Sequence, residues 1–242
     1  MQLKFVGAMV EDGVNNLFFA GDLGQRIFQT PFSWVSLGVQ IRGRSSTLRV
    51  NYRTSHQIRM QADLLLDKKI SDVDGNEEDR SGTVSVFNSI KPLIEVYDNK
   101  SAEMEGVGDW IGKRIEDGAS PGEIGIFVRS SAEICRAEYA IEAAGLDARV
   151  MDENSEPDQG HVTVSTMHLA KGLEFRFVVA MACDDEVIPS QERIEEITDQ
   201  SDLDEVYNTE RHLLYVACTR ARDGLLVCGI EPTSEFLDDL MV

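Results

Sequence analysis

The 242-residue sequence has little of what marks membrane-spanning, secreted or disulfide-rich proteins. No apolar run approaches the roughly 20 residues of a membrane span, and the start, Met1-Gln2-Leu3-Lys4, lacks the charged and apolar segments of a signal peptide. The four cysteines form no C-x-x-C pair that would indicate zinc or redox chemistry. Three of them stand in apolar runs and are predicted as small core residues: Cys183, Cys218 and Cys228. We therefore expect a soluble, cytoplasmic protein that makes no membrane contact.

A glycine-rich phosphate-binding loop of the form G-x-x-x-x-G-K-[ST] is also absent from the sequence. The one Gly-Lys pair, Gly112-Lys113, is followed by Arg114, and Val107 stands where the pattern requires a glycine. Internal repeats and coiled-coil heptads are missing as well. With 42% hydrophobic residues, the chain is long enough to form one large domain or two small ones around a sizeable core.

Charge is the most uneven property of the chain. The net charge of −20 argues against a protein that coats nucleic acid without specificity. Residues 21–60, however, hold six arginines against one acid, Asp22, which leaves −25 for the rest. This basic segment predicts local anion binding, with a solvated basic face as the alternative.

Short apolar, β-branched runs alternate with helical patterns, which is typical of an α/β fold with a parallel sheet and helices on both faces. The predicted strands are 17–20, 47–50, 84–87, 124–128, 148–151, 162–166, 177–182 and 224–228. The predicted helices are 56–66, 101–117, 132–144 and 203–218. Polar loops are expected at 67–82 and 152–160, and a loop or short helix at 188–202.

Four polar clusters interrupt this pattern. They are GDLGQRIF at 21–28, LRVNYRTS at 48–55, TMHLAKGLEF at 166–175, and TER at 209–211 running on to TRA at 219–221. We expect them to follow strands at the carboxyl ends, where open α/β sheets place their ligands. That placement predicts one shared site.

In this order and with these flanks, the clusters resemble the later motifs of the UvrD/Rep-like superfamily 1 helicases, G-D-x-x-Q, N-Y-R, T-x-H-x-x-K-G-L-E and E-R-x-L-x-Y-V-x-x-T-R-A. The resemblance is close over 16–55 and 162–229 and looser between them. It implies a RecA-like lobe of the P-loop NTPase type that lacks its own phosphate loop. It further implies an ATP-driven motor that moves 3′ to 5′ along single-stranded DNA. In such a motor two RecA-like lobes clamp one nucleotide, and the DNA crosses the top of both lobes.

The resemblance assigns the nucleotide chemistry to particular residues. Gln25, Arg53 and Arg220 would be catalytic, the amide sensing the γ-phosphate or the attacking water and the two arginines acting as arginine fingers. Tyr52 would stack on the adenine. The remaining ATP contacts would be Glu174, accepting from the ribose hydroxyls, and Gly172, whose backbone can approach the nucleotide closely.

DNA contacts follow from the same resemblance. Thr166 and His168 occupy positions that contact the single-stranded DNA backbone in the family. After the first cluster the family continues R-W-R-G, whose tryptophan stacks on a base, whereas this chain continues Gln29-Thr30-Pro31-Phe32. Phe32 and Trp34 are the candidates to replace that tryptophan.

The resemblance also predicts how the chain is divided. Residues 1–44 would be a remnant of the first RecA-like lobe and residues 45–242 the second lobe, without a large helical insertion. Asp22, Glu210 and Arg211 would couple the lobes and brace the helix that carries the second finger. The partners would be ATP, single-stranded DNA and the missing first lobe, which would supply most Mg²⁺ ligands.

Two further expectations belong to this division. The chain alone is expected to be inactive as an ATPase, because the phosphate loop would lie on the first lobe. The acidic run Asp184-Asp185-Glu186 follows a predicted strand but no phosphate loop precedes it, so we predict no metal site there. The alternative hypothesis is a non-catalytic, helicase-like scaffold whose acidic surface binds a basic protein partner.

Overall fold

Ten strands are present in the computed structural model, which describes residues 5–6, 9, 17–22, 27, 33–38, 44, 46–67, 69–71, 75, 77–79, 82–197 and 199–241. In chain order the strands are β1 (Val50–Asn51), β2 (Lys69–Ser71), β3 (Glu77–Asp79), β4 (Val84–Ser85), β5 (Leu93–Tyr97), β6 (Ile124–Val128), β7 (Ala148–Val150), β8 (Val162–Thr166), β9 (Phe175–Ala180) and β10 (Ala221–Ile230). Six of them form a parallel sheet in the order β5-β10-β9-β6-β8-β7. Two small two-stranded sheets, β1 with β4 and β2 with β3, complete the strand pairing.

Helices lie against both faces of the six-stranded sheet. They are α1 (His56–Ala62), α2 (Lys100–Glu116), α3 (Ile134–Ala143), α5 (Gln200–Cys218) and α6 (Glu235–Leu240). The short helix α4 (Gln191–Glu195) contacts α5 and belongs to neither core cluster. One core cluster joins Phe127 and Val178 of the sheet with α1, α5 and α6. The other joins their sequence neighbours Ile126 and Val179 with α2 and α3. Successive residues of a strand point to opposite faces, so the central strands are apolar throughout.

The predicted fold class is confirmed, and the central elements match best. Strands β6 and β8 have the predicted bounds, and all five residues of β6 are buried. The three cysteines predicted as core residues are fully buried. No helix of the described residues is both long and apolar enough to cross a bilayer.

Several local predictions are wrong. Residues 17–20 are not a strand, and Phe18 is almost fully exposed, because a strand needs a neighbour to take its backbone hydrogen bonds. Strand β5 was missed; it lies at the edge of the sheet, pairs only with β10, and has the charged Glu95 within its sequence, LIEVY. The predicted loop at 67–82 contains the β2–β3 pair. Helix α6 was also missed, although Ser234 caps its first turn by accepting from the Phe236 N–H.

The acidic run after β9 has a structural role. Asp184 is buried and accepts hydrogen bonds from the Arg136 guanidinium and, at 2.9 Å, from the Ile230 N–H. Arg136 also pairs with the buried Glu103. The network therefore ties α2 and α3 to the ends of β9 and β10.

Candidate functional site

The parallel sheet separates the polar clusters into two groups. Glu174 and Arg220 immediately precede Phe175 and Ala221, which are the paired first residues of β9 and β10. Arg129 and Thr166 lie instead at the other end, where Thr166 pairs with Val128, the last residue of β6. We call these the amino end and the carboxyl end of the sheet.

The prediction of one shared site at the carboxyl ends is therefore wrong. The third cluster begins at the carboxyl end of β8 and finishes at the amino end of β9. The fourth begins within α5 and finishes at the amino end of β10. The reason is geometric, because consecutive parallel strands must be joined by a segment that travels back along the whole sheet. Such a segment carries residues to both ends.

The loop after β1 reaches the amino end and places Arg53 there. Asn51 Oδ1 accepts from the backbone N–H groups of Arg53 at 2.8 Å and Thr54 at 3.1 Å, which fixes a tight turn. The Thr54 hydroxyl donates to the Thr219 carbonyl oxygen at 3.4 Å. Arg53 Nε then lies 3.1 Å from Glu174 Oε2, with side chains 45% and 48% exposed. The structure thus brings the second, third and fourth clusters together.

Arg220 is the most buried charge of this group, with only 1% of its surface exposed. Its guanidinium donates to the carbonyl oxygens of Val216 at 3.0 Å and Leu173 at 3.5 Å, and to the Thr219 hydroxyl at 3.3 Å. All three acceptors are neutral. Burial, and after it the charge of Arg53, lowers the pKa of Arg220 to about 10. The guanidinium is still charged at neutral pH, so it favours an anion nearby.

Other predicted nucleotide contacts surround this pair. Tyr52 is exposed beside Arg53. Gly172 has a φ of 94°, a left-handed conformation in which side chains are strained. The charge of Asp22 also acts on Arg220, raising its pKa against the effect of burial. Gln25 lies outside the described residues.

A shallow cavity of about 300 Å³ opens beside Glu174 at the same end of the sheet. Its wall includes Arg176, which pairs with Glu123 at 3.2 Å and with Asp223 at 2.8 Å. The lining residues are Gly122, Glu123, Glu174, Phe175, Arg176 and Arg222. The described residues contain no group of three or more His, Cys, Asp or Glu side chains able to hold a metal ion.

The carboxyl end carries two of the four predicted DNA contacts, Thr166 and His168, and a buried ion pair. His168 lies in the short 3-10 helix Met167–Ala170 that follows Thr166. Burial, and next the charge of Arg129, lowers the pKa of His168 below its ordinary value. Trp34 packs instead against Phe19, with ring centroids 5.2 Å apart. Phe32 lies outside the part of the chain that the structure describes.

Glu210 is the centre of this carboxyl end and is fully buried. Its carboxylate accepts two hydrogen bonds from Arg129, one of them at 2.6 Å, and one from Arg193 at 2.8 Å. Its neighbour Arg211 contacts α6, where it pairs with Asp239 and lies 4.5 Å from the Phe236 ring centroid. Both side chains brace α5 within this chain. Their predicted role in coupling two lobes remains a prediction.

Arg129 and Arg193 were missed by the sequence analysis. A signal existed for Arg129, because it directly follows the buried strand IGIFV in the manner expected of a ligand-binding residue. Nothing in the sequence marked Arg193, which stands in an acidic segment predicted as a loop or short helix. Only the folded chain brings it to Glu210.

Comparison with known proteins identifies a family that resembles part of this chain. Residues 151–231 match the family described as the UvrD-like helicase C-terminal domain. The chain carries a UvrD-like helicase C-terminal domain. This UvrD-like domain includes both ends of the sheet described above, from Thr166 and His168 through Glu174 and Glu210 to Arg220.

Curated relatives resemble the same part of the chain. DNA helicase II of Rickettsia typhi is 35% identical over 79 residues, which are 33% of this chain and 11% of that protein. The ATP-dependent DNA helicase UvrD1 of Mycobacterium tuberculosis is 40% identical over 76 residues, which are 31% of this chain and 9% of that protein. The UvrD-like match thus spans about a tenth of these relatives' length.

A solved structure extends the likeness to most of the fold. It is the C-terminal domain of a possible DNA helicase from Lactobacillus plantarum WCFS1, with a TM-score of 0.54 and 22% identity. The match covers 78% of this chain and 94% of that one. It shows that the two chains share a fold.

Proposed function

We propose that this chain acts as the second RecA-like lobe of an ATP-dependent DNA helicase that moves 3′ to 5′ along single-stranded DNA. The observation that carries the proposal is the meeting of Arg53, Glu174 and Arg220 at the amino end of the sheet. Residues 45–242 would form this lobe, and residues 1–44 would belong to the first lobe. Gln25 and Asp22 would then act from the first lobe, with Asp22, Glu210 and Arg211 coupling the two.

Phosphoryl transfer needs positive groups around the transferred phosphate, because negative charge must be stabilised on its oxygens while water attacks. Arg220 supplies a buried cation whose hydrogen-bond partners are all neutral. Arg53 supplies a second cation, half exposed and able to exchange its carboxylate partner for a phosphate. An arginine finger of this kind raises the rate of nucleotide hydrolysis by a factor of ~10³ to 10⁵.

The rest of the nucleotide would lie on the neighbouring residues. The exposed ring of Tyr52 offers a flat surface for the adenine. The Glu174 carboxylate would accept from the ribose hydroxyls, and Gly172 would let the backbone come close. Mg²⁺ would accompany the ATP phosphates and neutralise their charge, with ligands mainly on the first lobe.

Single-stranded DNA would cross the carboxyl end. Thr166 and His168 would contact its backbone, with Phe32 and Trp34 as candidate stacking residues. The lowered pKa of His168 keeps its imidazole neutral at pH 7, so it would act through hydrogen bonds rather than charge. Helix α5 would link the two ends, because Glu210 lies within it and Arg220 follows two residues after its last residue, Cys218.

The test is ATP hydrolysis by this chain, alone and mixed with a phosphate-loop lobe from a UvrD-like helicase, in the presence of poly(dT). We expect no turnover from the chain alone and DNA-stimulated turnover from the mixture. Arg220→Ala should lower that turnover by about 10³-fold or more while leaving ATP binding largely intact. The matched control is Arg149→Ala, because Arg149 is an exposed arginine outside both groups. Turnover that survives Arg220→Ala would remove the finger assignment.

A further inference from the structure

The cluster of Arg129, Glu210 and Arg193 joins three separate elements at the carboxyl end. Arg129 follows β6, Glu210 belongs to α5, and Arg193 belongs to α4. Glu210 is 0% exposed, and the Arg129 side chain is 8% exposed. Two guanidinium groups therefore share one buried carboxylate, and the cluster keeps one positive charge in excess. Because the Arg193 side chain is 39% exposed, this excess charge is accessible to an anion from solution.

We propose that Arg193 contacts a phosphate of single-stranded DNA and that Glu210 is the residue that positions it. The proposal rests on the proposed function, because it assigns a further contact to the same DNA strand. It also gives Glu210 a task at the DNA-binding end, in addition to the support of α5.

The geometry of Arg193 favours a phosphate contact. Only its Nη1 is engaged, with Glu210 Oε1 at 2.8 Å, and its side chain is 39% exposed. Its Nε and Nη2 make no hydrogen bond within the described residues. Arginine presents its donors as a rigid fork, so holding one nitrogen also orients the free ones. Charge-assisted bonds from such a fork to phosphate are short and strong.

The position of Arg193 also fits. The charges of Arg129 and Arg193 both lower the pKa of His168, and that of Glu210 raises it, so the cluster lies beside a predicted DNA contact. Arg129 is largely buried, and its Nε and Nη2 donate to Glu210. Arg193 is therefore the member of the cluster that a strand passing His168 can reach.

Acidic neighbours limit how far this site attracts DNA. Glu192, Glu195 and Glu196 are exposed on or just after the same short helix. They reduce the long-range positive potential around Arg193. Arg193 should therefore contribute to DNA affinity through one direct contact, and the salt dependence of that contribution should be that of a single phosphate contact.

The experiment measures binding of a short fluorescent oligo(dT) to the full chain by anisotropy over a range of salt concentrations. Arg193→Ala should weaken binding by roughly tenfold at low salt, because a hydrogen bond to a charged group is lost. The slope of log affinity against log salt should become shallower by about 0.7. The matched control is Arg149→Ala, whose side chain is 44% exposed and also lies 2.8 Å from a carboxylate, that of Asp158. It should leave both quantities unchanged.

Two further variants distinguish the effect of the position of the Arg193 guanidinium from the effect of net charge. Arg193→Lys keeps the charge but not the fork, and it should restore only part of the affinity. Glu210→Gln makes the chain more positive, so simple attraction would tighten binding, whereas loss of positioning weakens it. Circular dichroism confirms that each variant is folded before binding is measured.

The outcomes distinguish the inference from the function on which it rests. Wild-type binding with an unaffected Arg193→Ala variant overturns the inference and leaves the proposed function standing. Tighter binding by a folded Glu210→Gln variant overturns the positioning role. A wild-type chain that does not bind oligo(dT) at low salt contradicts both, since the proposed DNA-binding end would then bind no DNA.

Discussion

The buried ion pair between Arg129 and Glu210 should make a large electrostatic contribution to the stability of this chain, and one substitution can expose it. Glu210→Ala removes a fully buried carboxylate and leaves Arg129, whose side chain is 8% exposed, without a carboxylate partner. Breaking a buried pair on one side costs about 3–5 kcal/mol, because the remaining charge stays desolvated. Solvent screening is weak at this depth. Loss of the Glu210 contact to Arg193 adds less to this cost than loss of the contact to Arg129, because the Arg193 side chain is 39% exposed.

This cost is a large fraction of the free energy of unfolding of a folded domain, which is about 5–15 kcal/mol. Urea unfolding followed by circular dichroism measures it. With a denaturant slope of about 1–3 kcal/mol per molar, the midpoint should fall by roughly 1–5 M. Added salt should change the difference little, because buried pairs are poorly screened.

The matched control is Glu174→Ala, which breaks an ion pair with Arg53 at the other end of the sheet. Both of those side chains are about half exposed, so the expected cost is under about 1 kcal/mol. A Glu210→Ala variant within about 1 kcal/mol of this control would refute the reasoning from burial. A double variant, Arg129→Met with Glu210→Leu, should recover much of the loss, because it removes both charges and fills the space.

Three further predictions concern packing, thiols and pH. Gly229→Ala should lower the melting temperature, because the added Cβ would overlap the Cys183 carbonyl oxygen. In the control Gly112→Ala, in α2, the added Cβ meets nothing within 4 Å, so this variant should stabilise the fold by ~0.5–1 kcal/mol. Equal changes in melting temperature for the two variants would contradict the packing argument. A thiol reagent should label Cys135 alone in the native chain and all four cysteines after denaturation, because the other three are buried, and a second fast-reacting thiol would count against this fold. In an NMR titration, the His168 imidazole should have a pKa below its ordinary value of about 6.5, because burial disfavours the charged form. As pH falls below about 6.5, the unfolded chain therefore takes up the proton before the folded chain does, and the free energy of unfolding should fall. An NMR titration midpoint at or above about 6.5 would disprove the desolvation of His168.

The central fold was predictable because its strands are buried on both faces. IGIFV at β6 and VTVST at β8 give short apolar or β-branched runs whose ends are marked by polar residues. Such runs have few alternatives to a central parallel strand. Helices α2, α3 and α5 were found within a few residues, since each must turn an apolar stripe to the sheet.

Elements at the margin of the sheet were less predictable. Strand β5 pairs with one neighbouring strand only, and the charged Glu95 interrupts its apolar residues. Residues 17–20 carry a stronger apolar signal and form no strand. In both cases pairing decides the structure, and pairing depends on residues far away in sequence.

The sequence by itself determined which residue types this protein has for its work. They are an arginine after Asn51-Tyr52, a second arginine after the helical pattern at 203–218, a carboxylate two residues after Gly172, and four motifs whose order resembles one helicase family. Only the tertiary structure decided where they meet. Because parallel strands are joined by segments that run the length of the sheet, each motif is drawn to a particular end. Arg53, Glu174 and Arg220 gather at one end, and His168, Glu210 and the unforeseen Arg129 and Arg193 at the other.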